Sequence, residues 1–446
     1  MKVMLISIPG SEQAVEPYFP LGIGYLHAVI EKEHDVSSFH YQTDGFAFKH
    51  LPKVLSKLKP QIVGITCNTF NRSNVQKAIT LIKSFDSKIK VILGGVHPSF
   101  MYIQAIDYLK ADYVVIGEGE QTIVELLRAI EKNLDLNNIE GIAYQNSGSI
   151  GLTKKRKQIL DINKLPFPNY SYAKYIMDKS RLGFVITSRG CPVNCVFCST
   201  SSFWGQKTRL YSVKRVVDEM QYLIEKYGVT KIFFHDDTFN ISIKRAMDLS
   251  NEILKRELKI IWAASLRVNP VSEEMLDIMV ESGCRHICWG VESGSEKILK
   301  SIEKKINKNQ ITKAFNLCKK YNKIMSVGAF TLVGCPGETE QTIDQTLNFL
   351  NSLTMTDHPS TSILYVLPGT KIYYKVRERY PYLDNFFKKS DECVFDVSEN
   401  SIETLKKWQE LLAQSGDIIE FDKTKHFLSN VTFGKNLEHD MDIRNK

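Results

Sequence analysis

The chain has 446 residues, with 58 lysines and arginines against 50 aspartates and glutamates, a net charge of +8 with histidine neutral. A composition 43% hydrophobic and 24% charged is that of an ordinary water-soluble chain, long enough for two or three domains. Its longest apolar runs are strand-sized, which predicts no membrane insertion. The positive charge is spread over dispersed lysines, so nucleic acid is not an expected partner, even at Lys154-Lys155-Arg156-Lys157.

Residues 1–145 alternate short β-branched runs with helical patterns. Strands are predicted at Val3–Ile8, Val36–His40, Ile62–Thr66, Val91–Gly95, Tyr113–Ile116 and Ile142–Tyr144. Helices are predicted at Leu21–Lys32, Leu51–Lys59, Asn74–Phe85 and Gln121–Lys132. Continuous apolar strands between helices imply a doubly wound α/β domain of Rossmann-like type. Ligands bind such sheets at the carboxyl ends of the strands. Those ends carry Pro20, Leu21 and Gly22; Thr69 and Phe70; Gly94, Gly95, Val96 and His97; and Gly117, Glu118, Gly119 and Glu120. Glycines let backbone amides approach a bulky ligand, although each loop alone could be a tight strand-to-helix turn. The opening run Met1–Ile8 is too short for a signal peptide and reads as a first buried strand.

Residues 146–180 are polar and proline-marked, and read as a linker. A second βα series follows over 181–375. Its strands are predicted at Phe184–Ser188, Lys231–His235, Ile260–Ala264, His286–Val291, Met325–Leu332 and Ser362–Val366. Its helices are predicted at Val213–Lys226, Ile243–Lys255, Glu273–Glu281, Gln310–Tyr321 and Glu338–Leu350. Six such units give a partial (βα)6 barrel with its chemistry at the carboxyl ends of the strands. Residues 376–446 form a carboxyl-terminal extension that could cap the barrel, with helical spacing over Ile402–Ala413.

After the first barrel strand stands Arg189-Gly190-Cys191-Pro192-Val193-Asn194-Cys195-Val196-Phe197-Cys198. Three thiolates at these gaps can hold three irons of a [4Fe–4S] cluster and leave the fourth iron open. The alternatives are ordinary cysteines or half of a zinc site. Zinc would want a fourth ligand nearby, and the next downstream candidate, His235, is far away. Nine unevenly spaced cysteines suggest no disulfide framework, and a labile cluster needs a reducing, cytoplasmic compartment. Cys284, Cys288, Cys318, Cys335 and Cys393 read as packing residues.

The cysteine spacing, with Phe197 before its last cysteine, resembles the radical SAM superfamily. The segments Pro20-Leu21-Gly22, Gly94-Gly95-Val96-His97-Pro98 and Gly117-Glu118-Gly119-Glu120 resemble the cobalamin-binding domain fused to many of its members. No Asp-x-His-x-x-Gly is present, so the resemblance implies no histidine below the cobalt. It implies that Cys191, Cys195 and Cys198 hold the cluster and that S-adenosylmethionine is cleaved there to a 5′-deoxyadenosyl radical. It implies further that Asp236 or Asp237 receives the ligand ammonium and that Ser265 and Arg267 flank or grip the ligand. Glu292 would meet the ribose or ammonium, and the backbone from Gly334 to Pro336 would flank the adenine. The expected outcome is methylation of an unactivated carbon or phosphorus in a small-molecule or peptide substrate, with a flavodoxin- or ferredoxin-type electron donor. A rearrangement, cyclisation or oxidation on the same chassis is the nearest alternative, and a non-catalytic iron–sulfur or zinc module the more distant one.

Overall fold

A computed structural model describes residues 1–10, 19–146, 148–389, 400–422 and 426–427. The described residues fall into two compact units, 1–176 with 377–389, and 177–376 with 400–422 and 426–427. Cys393 lies outside them.

The first unit is built on strands β1 (Lys2–Ser7), β2 (Asp35–His40), β3 (Ile62–Thr66), β4 (Lys90–Gly94), β5 (Tyr113–Val115), β6 (Ile142–Asn146) and β7 (Ser149–Leu152). The order among the described residues is β2-β1-β3-β4-β5-β6-β7, parallel from β2 to β5 and antiparallel thereafter. The strand order reverses between β1 and β3, which is where a doubly wound sheet opens a crevice for a ligand. Helices α1 (Leu21–Ile30), α2 (Asp44–Leu58), α3 (Arg72–Phe85), α4 (Val96–Phe100), α5 (Tyr102–Asp107) and α6 (Gly119–Lys132) accompany the strands. Met4, Ile6, Val63, Ile65, Val91 and Leu93 bury one sheet face against Leu51, Leu55, Ala78, Ile79 and Ile82.

Two sequence expectations are corrected here. The stretch read as linker from residue 146 contributes β7, hidden because glycine and serine are poor strand formers. Gly151 is required there, since a Cβ would stand 2.8 Å from the Tyr144 ring. The region after 376 does not act as one extension, because a helix at Leu383–Lys389 belongs to the first unit. There the buried Arg72 donates from Nε to Phe387 O at 3.0 Å, and its guanidinium lies 5.5 Å from that ring's centre.

In the second unit, strands β8 (Leu182–Val185), β9 (Lys231–Phe234), β10 (Ile261–Leu266), β11 (Cys284–Glu292), β12 (Ser326–Val333) and β13 (Ser360–Ile363) pair in strict chain order, all parallel. They form a curled half-barrel sheet. Outer helices are α7 (Val213–Tyr227), α8 (Ile243–Lys255), α9 (Glu273–Glu281), α10 (Glu296–Ser301), α11 (Lys308–Cys318) and α12 (Glu340–Asn351). Five of them open on side-chain caps, at Ser212, Ser242, Ser272, Asn307 and Thr339, each accepting from a backbone N–H three residues on. Ile232, Phe234, Trp262, Ala264, Leu266, Ile287 and Trp289 bury one face completely. The opposite, inner face carries Phe233, His235, Ser265, Phe330, Leu332 and Ser362, which keep part of their surface open. A last helix, α13 (Ile402–Ala413), lies along β13, where Gln409 Nε2 donates to Thr361 O at 2.8 Å.

Candidate active site

The cysteine loop leaves β8 and is fastened at both ends. Gly190 has φ +94°, and a Cβ there would stand 2.8 Å from Lys207 O and 2.9 Å from Gly205 O. Val196 N donates to Ile302 O at 3.1 Å, and Ile372 N donates to Val196 O at 3.0 Å. Cys191 and Cys195 are buried, Cys198 and Phe197 half-buried, and none of the three thiols is in a disulfide; Cys191 Sγ stands 3.8 Å from Thr238 Oγ1. Burial pushes the Cys195 thiol up, while Lys304 and Arg267 pull the other way. Burial raises Cys198 to about 11, with a smaller upward push from Asp237.

Among the described residues, the set of three potential ligand atoms that closes within 4.8 Å is His286, Asp357 and His426, not the cysteines. Cys191, Cys195 and Cys198 place three thiols on one short loop, the donor type that iron–sulfur clusters take. The donor set fits a [4Fe–4S] cluster, and loading it must expel thiol protons.

Asp236 and Asp237 divide the labour at the end of β9. Asp236 is buried and accepts from Thr187 N at 2.9 Å, Thr187 Oγ1 at 2.9 Å and Ser188 Oγ at 2.6 Å. It therefore braces the root of the cysteine loop rather than facing a ligand. Burial raises its carboxyl to about 6, although these donors favour the charged form. Asp237 accepts from Thr200 Oγ1 at 2.7 Å, just beyond Cys198, and is open to solvent. Burial nevertheless raises its pKa.

Sequence reasoning missed Lys304, which sits in a charged run that reads as solvated surface. It is 7% exposed and ion-paired through Nζ to the equally buried Glu292. Glu292 adopts φ +64°, a conformation that brings its carboxylate back over Gly290. A Cβ on Gly290 would stand 2.7 Å from Lys304 Nζ. Arg267 donates to Lys304 O at 2.7 Å, and its own backbone is fixed by Asn240 Oδ1 at 2.9 Å. Arg267, Lys304 and Glu292 all act electrostatically on Cys195, so the three meet beside the cysteine loop.

Ser265 stands half-buried on the inner face. The Cα of Gly334 (φ +83°) lies against Leu405 of α13, 3.3 Å from where a Cβ would be, and Pro336 is half-buried beside it. Glu338 accepts from Gly334 N and Cys335 N, the latter at 3.1 Å, while Thr339 caps α12. Burial raises Glu338 to about 7.

In the first unit the strand ends form a backbone cradle. A Cβ on Gly22 or Gly117 would meet nothing within 4 Å, and one on Gly94 only Val115 O at 4.0 Å. Ser99 ties two of these loops together, donating to Gly95 O at 2.7 Å and accepting from Gly117 N at 2.9 Å. Pro20, Leu21 and Thr69 are buried, Val96 is half-buried, and Phe70 is 41% exposed at the same edge. Gly119 has a packing reason, since a Cβ there would lie 3.2 Å from Leu26.

His97 turns inward. Its Nδ1 is 3.1 Å from Thr69 Oγ1 and its Nε2 2.7 Å from Gln104 Oε1, and burial lowers its pKa to about 4. Glu118 accepts from Ile159 N at 2.9 Å and holds the following segment, and Glu120 is buried. These acids and His97 are thus protein-facing. The open glycine edge fits a flat, bulky cofactor such as cobalamin.

The sequence model of the Radical SAM superfamily matches residues 185–350, and that of the B12 binding domain matches residues 12–127. An uncharacterised methyltransferase of Pyrococcus horikoshii is 35% identical over 382 residues, covering 84% of this chain and 82% of that protein. Cytidylyl-2-hydroxyethylphosphonate methyltransferase of Streptomyces wedmorensis is 28% identical over 375 residues, covering 71% and 69%. Among solved structures, the radical S-adenosylmethionine methyltransferase TsrM of Kitasatospora setae, solved with cobalamin and a [4Fe–4S] cluster bound, superposes with a TM-score of 0.71. It is 21% identical, covering 85% of this chain and 75% of that one.

Proposed function

The chain belongs to the radical SAM superfamily, with a B12-binding domain ahead of its half-barrel, and on that premise we propose that it is a cobalamin-dependent methyltransferase acting on an unactivated carbon or phosphorus. The observation that carries the reading is the convergence of three thiols free of disulfides with Arg267, Lys304 and Glu292 at the carboxyl ends of one parallel half-barrel. When bound, the cluster supplies the electron that cleaves S-adenosylmethionine and cobalamin carries the methyl group.

Cys191, Cys195 and Cys198 hold three irons. Asp236 keeps the loop's root in place through Thr187 and Ser188. Arg267, already fixed by Asn240 and Lys304, offers the rest of its guanidinium fork to the amino-acid carboxylate of S-adenosylmethionine. Glu292, held by Lys304, offers its other oxygen to the ammonium or ribose, and Asp237 stands open to solvent. Phe233, Phe330 and Leu332 add apolar surface to the inner face beside Ser265 and Ser362, which helps keep water from a reactive radical. The substrate is a small molecule or peptide, and the electron comes from an external low-potential donor of flavodoxin or ferredoxin type. The likeness to a phosphonate methyltransferase supports phosphorus-bearing substrates among those to be screened.

The test is anaerobic reconstitution with iron, sulfide and cobalamin, followed by parallel measurement of S-adenosylhomocysteine and 5′-deoxyadenosine. Both should form with a methylated product. 5′-Deoxyadenosine without S-adenosylhomocysteine would instead indicate a rearrangement, cyclisation or oxidation. Glu292→Gln should weaken S-adenosylmethionine binding while leaving the cluster spectrum unchanged.

A further inference from the structure

At the other end of the half-barrel three side chains from distant parts of the sequence converge. His286 lies near the start of β11, level with Ala263, Phe233 and Phe184 through the pairings Ala263↔His286, Phe233↔Ala263 and Phe233↔Phe184. Asp357 follows α12 on a turn fastened to β12, its N donating to Val327 O at 3.2 Å while Thr356 Oγ1 accepts from Val327 N at 2.6 Å. His426 comes from beyond α13, next to Phe427, which is fully buried with its ring 6.4 Å from Phe233.

The imidazole rings of His286 and His426 are 5.4 Å apart. Asp357 Oδ2 stands 3.3 Å from His286 Nδ1 and 3.5 Å from His426 Nε2. It is a buried oxygen without a properly directed hydrogen bond to either. One ligand atom from each residue lies within 4.8 Å of the others. Ser326 Oγ stands 2.7 Å from His286 Nδ1.

The geometry points to a divalent-metal site of the zinc class formed by His286, Asp357 and His426, which latches the segment after α13 beneath the half-barrel. Two imidazoles and one carboxylate are a borderline-soft donor set that suits zinc, with a fourth position for Ser326 Oγ or solvent. His286 and Glu292 are six positions apart on one strand, roughly 20 Å at the usual strand rise. The metal is thus separate from the cluster chemistry. Its role is structural, closing the lower end of the inner face with Phe427 in place.

The experiment uses the full-length Cys191→Ala/Cys195→Ala/Cys198→Ala variant, so that bound metal cannot reside on the cluster cysteines. Zinc should bind at one ion per chain and raise the melting temperature. Adding His426→Ala should weaken zinc binding by about 10- to 100-fold or more and abolish the rise. Cobalt(II) in the same protein should give tetrahedral ligand-field bands without a thiolate charge-transfer band, and Asp357→Asn should remove them. Unchanged zinc affinity in His426→Ala would overturn the site, as would a thiolate band or no cobalt spectrum at all in a folded protein.

Discussion

In the first unit the carboxyl ends of the strands are lined with backbone, while in the second they carry sulfur and charge. Gly22, Gly94 and Gly117 leave room where side chains would stand, and Ser99 fixes the loops from behind. In the second unit Cys191, Cys195, Cys198, Arg267, Lys304 and Glu292 crowd one end of the sheet, and two aspartates brace the loop. The difference follows from what each must hold. A large planar cofactor is recognised by space and amides, whereas a metal cluster and a zwitterionic ligand are recognised by specific donors. The first edge should therefore be sensitive to added bulk, and the second to lost atoms.

The largest effect should come from removing sulfur. Cys191→Ala, Cys195→Ala or Cys198→Ala should lower 5′-deoxyadenosine formation at least roughly 10³-fold, with a matching loss of iron. Normal iron content in the triple variant would end the assignment.

Next is the buried ion pair. Lys304→Met leaves Glu292 charged, buried and unpaired, at a cost of about 3–5 kcal/mol in urea unfolding. Adding Glu292→Gln should recover much of that. If the double variant is no more stable than Lys304→Met, the pair is not coupled as drawn.

Glycine substitutions separate bulk from strain on the other edge. Gly95→Ala forces an alanine to φ +109° with its Cβ 2.6 Å from Cys67 O, and should destabilise the first unit by about 2–3 kcal/mol. Gly22→Ala meets no atom within 4 Å, so stability should hold while cobalamin retention falls. Full retention in Gly22→Ala would remove that loop from the cradle.

The smallest effect is a pH dependence. His97 is lowered from 6.5 to about 4, so the unfolded chain binds more protons than the native one between those values. Stability from His97 is present above pH 6.5 and is lost as pH falls toward 4, about 2 kcal/mol by pH 5. His97→Gln should flatten that slope in unfolding measured against pH. An unchanged slope would mean that the ring is not held neutral between Thr69 and Gln104.

Much of this was legible in the sequence because periodicity and spacing are local. Helices α8 and α9 and the span of β3 came out with their observed ends. The cysteine loop was plain from its spacing alone. Long-range pairing was not legible. Lys304 looked like one more surface lysine, and nothing nearby revealed that Glu292 folds back over Gly290 to meet it. The two adjacent aspartates could not be told apart until Asp236 was seen on Thr187 and Ser188, and Asp237 on Thr200. His97 looked like a cofactor contact because it stands in a glycine-rich loop at a strand's carboxyl end. Gln104, seven residues further on, shows that the ring faces inward.

The placement of α13 along β13 also bears on how the protein behaves in company. A strand at the rim of a sheet offers unpaired amides and carbonyls that can recruit a strand from another molecule. Here Gln409 occupies the Thr361 carbonyl and Leu405 fills the space over Gly334, so this rim is covered from the same chain. The helix guards against strand-to-strand association between copies, whatever share it takes in shaping the site. Truncation before Ser401 would leave the half-barrel with a sticky border, and the expected symptom is aggregation at concentrations where the full chain stays dispersed.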